Sequence, residues 1–393
     1  MAKPEIRLKG FEGEWVKSIL GDLFKERVES DIHGEMLSVT MNKGIILASK
    51  NGLYDNSNSD KSHYKLVKIG DIAYNSMRMW QGASGCSYFE GIVSPAYTVL
   101  KPNEGIYSPF FAILFKNNNI IKTFRLHSQG LTSDTWNLKY PAFSKIAVYY
   151  PLPQEEQTAI SVYFKSLDSM IQATTKKIES LKRMKQACLV SMFPQAGETT
   201  PRVRFKGFEG EWVKDKAVNL FMTFNERNRP DLPVLSANQD IRGMAPRSDT
   251  GYTISHNKAN EVTYKVVKPG QYVIHLRSFQ GGFAHSAVEG ITSPAYTVFG
   301  FKNLNLHDDY FWKIIFMSKS FIKSLETITY GIRDGRSISF SEFSEMSFLF
   351  PSKQEQQKIS TYFRSLDKQI SLQEQKLEKL KQIKAACLDK MFV

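Results

Sequence analysis

EQTAISVYFKSLDSMI (residues 156–171) returns as EQQKISTYFRSLDKQI (residues 355–370), and each copy opens a stretch whose apolar positions are spaced 4-3. The first seam runs through Ile160, Phe164, Leu167, Ile171, Thr174, Ile178, Leu181, Lys185, Cys188 and Met192. The second runs through Ile359, Phe363, Leu366, Ile370, Gln373, Leu377, Leu380, Lys384, Cys387 and Met391. A seam kept over about five heptads predicts a coiled-coil helix. Pro151, Pro153 and Pro351 mark the helix starts, and Pro194 stops the first. A helix of roughly 39 residues is about 58 Å long, more than a small domain is wide, so each helix reads as a strut. If the struts pair, the simplest closed arrangement is antiparallel, with a pseudo-twofold axis and Thr174 near Gln373 as a polar layer that fixes register.

The repetition extends outward from these helices. PEIRLKGFEGEWVK (4–17) returns as PRVRFKGFEGEWVK (201–214), GIVSPAYTVL (91–100) as GITSPAYTVF (290–299), and CLVSMF (188–193) as CLDKMF (387–392). A period this long is a duplicated domain, not a solenoid. The chain therefore divides into a module over 1–150, a long helix over 151–194, a second module over 195–350 and a second long helix over 351–393. The modules read as α/β (α+β). Residues 65–75 and 265–276 alternate about a glycine as hairpins would, and SPAYTV ends in a strand. Residues 108–126 and 308–326 read as an amphipathic helical stretch with aromatic residues on its core face. Trp15 and Trp212 are placed to anchor the chain entries. The halves diverge most over 21–64 against 221–264 and in the polar loops 127–139 and 329–339. The echoed segments look like scaffold, and the divergent ones like readers.

The formal charge of +13 favours an anionic partner, nucleic acid ahead of membrane. Cys86, Cys188 and Cys387 are far apart and form no CxxC pair, which argues against a disulfide framework or a zinc site. The N-terminus has no apolar core, and the longest apolar runs are too short to span a bilayer, so the expectation is a soluble cytoplasmic protein without membrane contact. Signals for catalysis are missing. There is no phosphate-cradling glycine loop before Lys-Ser/Thr, no Asn-Pro-Pro-aromatic tetrapeptide, and no glycine-rich S-adenosylmethionine loop. Pro230-Asp231 begins like a nuclease motif, but its only downstream Glu-x-Lys, at Glu374 and Lys376, falls in the second long helix. The seven histidines are scattered, with His33 and His63 reading as surface residues.

Two similar modules about a pseudo-twofold axis suit double-stranded DNA, whose major grooves recur about 34–36 Å apart on one face. Because the modules differ, the two half-sites should differ. Arginine and lysine read guanine, Asn and Gln read adenine, and the same side chains hold phosphates. In the first module the glycine-rich loop NSMRMWQGASGCSY offers Arg78 and Gln81, and the later loop offers Ser133 and Lys139. In the second, HLRSFQGGFAHS offers Arg277, Gln280 and His285, and the later loop offers Arg333 and Arg336. Taken singly each is as well read as a solvated surface group. Together, on matched loops, they read as a contact surface.

The KGFEGEW openings, the stretch GIRDGRSISFSEFSEMSFLFPSKQEQQKI (331–359) and the two EQ…SLD helices resemble the specificity (S) subunit of type I restriction-modification systems. The likeness covers nearly the whole chain. It implies that 1–150 and 195–350 are DNA target-recognition domains that read a bipartite, asymmetric site. It implies that the helices set the gap and dock two methyltransferase (M) subunits, and that restriction (R) subunits join for cleavage. It also implies that the chain itself is non-catalytic and holds no cofactor, S-adenosylmethionine belonging to the M subunits. The first half departs from the pattern: it has no arginine between Gly130 and Lys139, where the second has Arg333 and Arg336. A stand-alone two-headed DNA-binding regulator is the alternative, and a scaffold without nucleic acid is a third reading that leaves the charge unexplained.

Overall fold

The computed structural model describes residues 2–41, 44–50, 60–133, 135–238, 243–250, 258–330 and 337–393. The chain forms two compact units, residues 1–178 with 373–393, and residues 179–372. The boundaries fall inside both long helices, Gln154–Ser191 and Lys353–Lys390, so each unit holds the start of one helix and the end of the other. Both helices begin just after the expected prolines, with Glu155 and Glu156, or Glu355, in the first turn where the helix dipole favours negative charge. No helix among the described residues is long and apolar enough to cross a membrane.

Within each unit the two helix segments run antiparallel. In the first unit Lys384 meets Asp168 at 2.5 Å, and the Tyr163 hydroxyl lies 3.4 Å from the Cys387 sulfur. In the second unit Lys185 meets Asp367 at 2.5 Å, and Cys188 lies 3.3 Å from the Tyr362 hydroxyl. The seam lysines thus reach sideways to carboxylates and keep their charge out of the apolar layer. Ile160, Phe164, Leu167 and Leu380 are buried in the core of the first unit. Leu181, Ile359, Phe363, Leu366 and Ile370 are buried in that of the second. Thr174 and Ile178 are buried as well, the Thr174 hydroxyl donating to the Met170 carbonyl at 2.7 Å. Ile171, Gln373 and Leu377 are half-buried. A partly exposed Lys–Asp pair contributes about 0.2–1 kcal/mol, against about 1.5–3 kcal/mol for burying one phenylalanine, so the apolar seam dominates.

The repeated opening segment is an anchor onto the helix start of its own half. Arg7 grips Glu156 with two bonds of 2.7 Å and donates a third, of 2.6 Å, to the Gly13 carbonyl. Arg204 does the same to Glu355 at 2.6 and 2.7 Å and to the Gly210 carbonyl at 2.5 Å. Both glutamates are almost fully buried, and a two-pronged charged bond is what makes that burial tolerable.

The first unit carries an antiparallel sheet in the order Phe24–Glu26, Tyr97–Pro102, Ile72–Asn75, Ser84–Cys86. The second repeats it as Phe221–Phe224, Thr297–Phe301, Tyr272–Ile274, Ala284–Ser286, and extends it with Gly243–Pro246, which pairs in parallel, and Leu235–Asn238. In the first unit the hairpin Leu37–Thr40 with Gly44–Leu47 stands as a separate pair. Two expectations are corrected. Residues 65–75 and 265–276 are not hairpins. Gly70 and Gly270, at φ 88° and 85°, turn the chain out of one sheet and into another. Lys65–Val67 and Lys265–Val267 accordingly pair with Gly91–Val93 and Gly290–Thr292 instead. The helical stretch of each half is two helices, Ser108–Leu114 and Asn118–His127 in the first, Asp309–Phe316 and Lys319–Leu325 in the second. Asn117 and Ser318 accept from backbone N–H groups ahead of them and restart the helix as N-caps.

Each core is closed by the phenylalanine that follows a long helix. Phe392 lies 6.1 Å from Trp15, 5.6 Å from Phe110 and 6.0 Å from Phe164, between ring centroids. Phe193 repeats this with Trp212, Phe311 and Phe363 at 5.8, 5.6 and 6.2 Å. Phe392→Ala is therefore expected to destabilise the first unit, at the other end of the sequence, by about 3–5 kcal/mol. Denaturant unfolding followed through Trp15, Trp80 and Trp136 should shift while the signal of Trp212 and Trp312 holds. Coincident curves for variant and parent would refute this packing.

Candidate nucleic-acid interface

The strand Ile72–Asn75 leads into a tight turn, Met79–Gln81, which Gly82 closes at φ 79°. Met79 is buried beneath the turn, while Arg78 is exposed, its guanidinium 3.5 Å from the half-buried Gln81 side chain. In the second unit the strand Tyr272–Ile274 leads into the turn Ser278–Gly281, closed by Gly282 at φ 81°. A Cβ on Gly282 would collide with the Phe316 carbonyl oxygen, so glycine is required there twice over. Ser278 is buried and accepts from the His275 backbone N–H at 2.8 Å, while Arg277 and Gln280 are exposed. The His275 ring accepts from the Arg277 N–H at 3.2 Å, and burial pushes its pKa down to about 4. It is neutral at pH 7 and shapes the loop without adding charge to it.

The first unit brings its two polar loops together. Gln129 and Asn137 exchange backbone hydrogen bonds of 3.0 and 2.8 Å, and the Leu138 N–H donates to the Ser76 carbonyl at 2.9 Å. Trp80 meets Trp136 edge-on at 5.2 Å, and Arg125 stacks 4.9 Å over Trp136. Ser133 and Lys139 are exposed on this later loop, Lys139 leading into the helix Tyr140–Phe143. In the second unit the turn Ser278–Gly281 lies against the backbone of Ser337–Ile338, which pairs with Thr329–Tyr330. Arg333 and Arg336 fall between those strands, outside the described residues.

His285 is withdrawn from the DNA-facing set. It is buried in the strand Ala284–Ser286, its Nε2 lies 2.6 Å from Asp309 Oδ2, and its ring packs 5.5 Å from Tyr272. The hydrogen bond from His285 is the first cause that holds the Asp309 carboxyl below the usual range. The residue follows the glycine-rich loop in sequence, but the chain has already re-entered the sheet. Conversely, Trp80, Trp136 and Arg125 form an aromatic and cationic patch that sequence reasoning passed over. Two of five tryptophans in polar loops was the available signal. Arginine stacked on aromatic faces recurs where nucleic acid is held.

Residues 213–382 match the family model of the type I restriction modification DNA specificity domain. Among solved structures, the chain is similar to the S subunit of a type I restriction-modification system from M. genitalium. The identity is 14%, over 100% of this chain and 99% of that chain, with a TM-score of 0.58. It is also similar to the HsdS subunit from Thermoanaerobacter tengcongensis, at 16% identity over 96% of each chain and a TM-score of 0.49. The first likeness is one of fold along the whole chain. No curated protein matches it.

The burial contrast predicts two different outcomes. His285→Ala should destabilise the second unit by about 1–3 kcal/mol by removing a buried ring and its hydrogen bond to Asp309, which keeps Arg364 at 3.5 Å. Arg277→Ala should stay within about 0.5 kcal/mol of the parent. Thermal unfolding of both variants checks this, and equal losses would refute the assignment of one as buried and the other as surface.

Proposed function

We propose that the chain is a type I restriction-modification DNA specificity subunit, each of whose units reads one half of a bipartite, asymmetric duplex site. The family match lies in residues 213–382, and the echoed segments carry the same sequence into the first half. In this reading Arg78, Gln81, Ser133 and Lys139 touch the first half-site. Arg277 and Gln280, with Arg333 and Arg336 beyond the described residues, touch the second. The observation that carries it is the pair of matched loops, each leaving the same place in the sheet, each closed by a left-handed glycine, and each presenting an exposed arginine.

The long helices set the gap between half-sites and dock two methyltransferase subunits, with restriction subunits joining for cleavage. Each helix has 38 residues and is roughly 57 Å long at about 1.5 Å per residue. Val162, Met170, Met184 and Val190 on the first helix, and Leu372 on the second, are exposed apolar side chains that such subunits would cover. The chain contributes no catalysis of its own in this reading, and S-adenosylmethionine is held by the partner. The cytoplasm is the compartment this role requires.

Genome-wide mapping of methylated adenines, with and without the gene, tests the reading. A split motif that vanishes with the gene is expected, and a continuous or unchanged motif overturns it. Arg277→Ala should weaken binding of that site by about 1–3 kcal/mol and relax one half only. The parent complex should lose affinity with salt at a log–log slope of about −0.9 per phosphate contact. A flat salt response in a gel-shift titration would remove DNA from the proposal.

A further inference from the structure

Lys116 sits in the turn between the helices Ser108–Leu114 and Asn118–His127, half-buried. Its ammonium donates to the Met41 carbonyl at 3.1 Å, to the Ser84 carbonyl at 2.9 Å, and to the Gly82 carbonyl. Three acceptors use all three of its N–H groups. Met41 begins the turn of the hairpin Leu37–Thr40 with Gly44–Leu47, inside the divergent segment 21–64. Gly82 and Ser84 end the loop that presents Arg78 and Gln81. One side chain therefore ties together two segments that the reading above assigns to DNA.

The tie is electrically unusual. No carboxylate pairs with Lys116 among the described residues, and the loops it holds offer it backbone only. Burial, with repulsion from Lys384, pushes its pKa down to about 8. Lys384 itself is engaged by Asp168. The matching position of the second unit is Met317, which carries no charge; there the loop is fixed by the close approach of the Phe316 carbonyl to Gly282.

We propose that Lys116 is a positioning residue of the first unit, holding the hairpin turn at Met41 and the loop end at Gly82 and Ser84 in one arrangement, and so setting how sharply this unit reads its half-site. The inference rests on the two-half reading above. A lysine with a lowered pKa is protonated below that value and neutral above it. The tied lysine holds its proton less tightly than a released one, so raising the pH from about 8 towards the ordinary value of 10.5 favours the tied arrangement, in the first unit alone.

The test uses the complete methylating complex. The parent's methylation map first yields the motif, and a motif without two halves sinks the underlying reading, not this inference. The complex with Lys116→Met is then mapped in the same way. One half of its motif should blur, admitting substituted bases at least three-fold more often, while the other stays sharp. Two halves as sharp as the parent's, or both blurred alike, overturn the proposal. A second measurement needs no variant. The parent complex methylates duplexes substituted in one half or the other at pH 7.5 and pH 9. Discrimination should rise about three-fold or more against substitutions in the half that Lys116→Met blurs. If that variant fails to accumulate, it should rise in one half only. Equal pH response of the two halves overturns the proposal, and Lys116→Arg, charged throughout, should lack the pH response.

Discussion

Everything in this structure depends on how the two cores are closed. Neither unit is complete as a continuous stretch of chain. The first is sealed by Phe392 and Leu380 from the second long helix and the residues after it, and the second by Phe193 and Leu181 from the first. Edge-on and tilted aromatic contacts of this kind contribute about 0.5–1.5 kcal/mol each beyond the area they bury. The chain end is held further by the Ile6 N–H donating to the Lys390 carbonyl at 2.9 Å and by Asn117 donating to the Leu388 carbonyl at 2.6 Å. A unit and a long helix cannot be adjusted independently when the end of the helix is part of the unit's core.

That constraint explains which features of the fold could be read from the sequence. The 4-3 seam and the repeated CLVSMF and CLDKMF ends were legible because long-range packing imposes the same side chains at the same spacing in both copies. The antiparallel sense followed from the topology, and the ion pairs at Lys185 and Lys384 express it. What escaped was decided by single residues acting locally. One asparagine, Asn117, splits a continuous amphipathic pattern by capping, and one glycine, Gly70, sends two alternating runs into different sheets. Periodicity is an average over many residues and cannot register either event.

The site was legible to a smaller degree, for a related reason. Loop composition pointed to Arg78 and Arg277, which are exposed, but sequence adjacency misled at His285, three residues after a glycine turn and already inside the sheet. Lys116 lay beyond sequence reasoning altogether. Its partners are carbonyl oxygens, which every residue possesses, so no pattern of side-chain types could have announced them.

The two units also indicate how a duplicated scaffold diverges without collapsing. In the first, Arg27 and Asp71 are both buried and joined by bonds of 2.6 and 3.0 Å, and Asp71 also accepts from the Lys68 N–H. In the second, the matching residues are Phe224 and Gln271. The Gln271 side chain keeps the bond from the Lys268 N–H, and Phe224 packs on the apolar cluster of Val273 and Val298. Removing one member of a buried ion pair costs about 3–5 kcal/mol, whereas replacing both by well-packed neutral groups is often neutral or better. The two positions therefore had to change together, and the backbone bond that both units need survived the exchange. The same logic separates Lys116 from Met317: the first unit holds its loop with a charge, and the second with a glycine against a carbonyl. Divergence that swaps whole interactions in this way leaves the sheet and its helix closure intact.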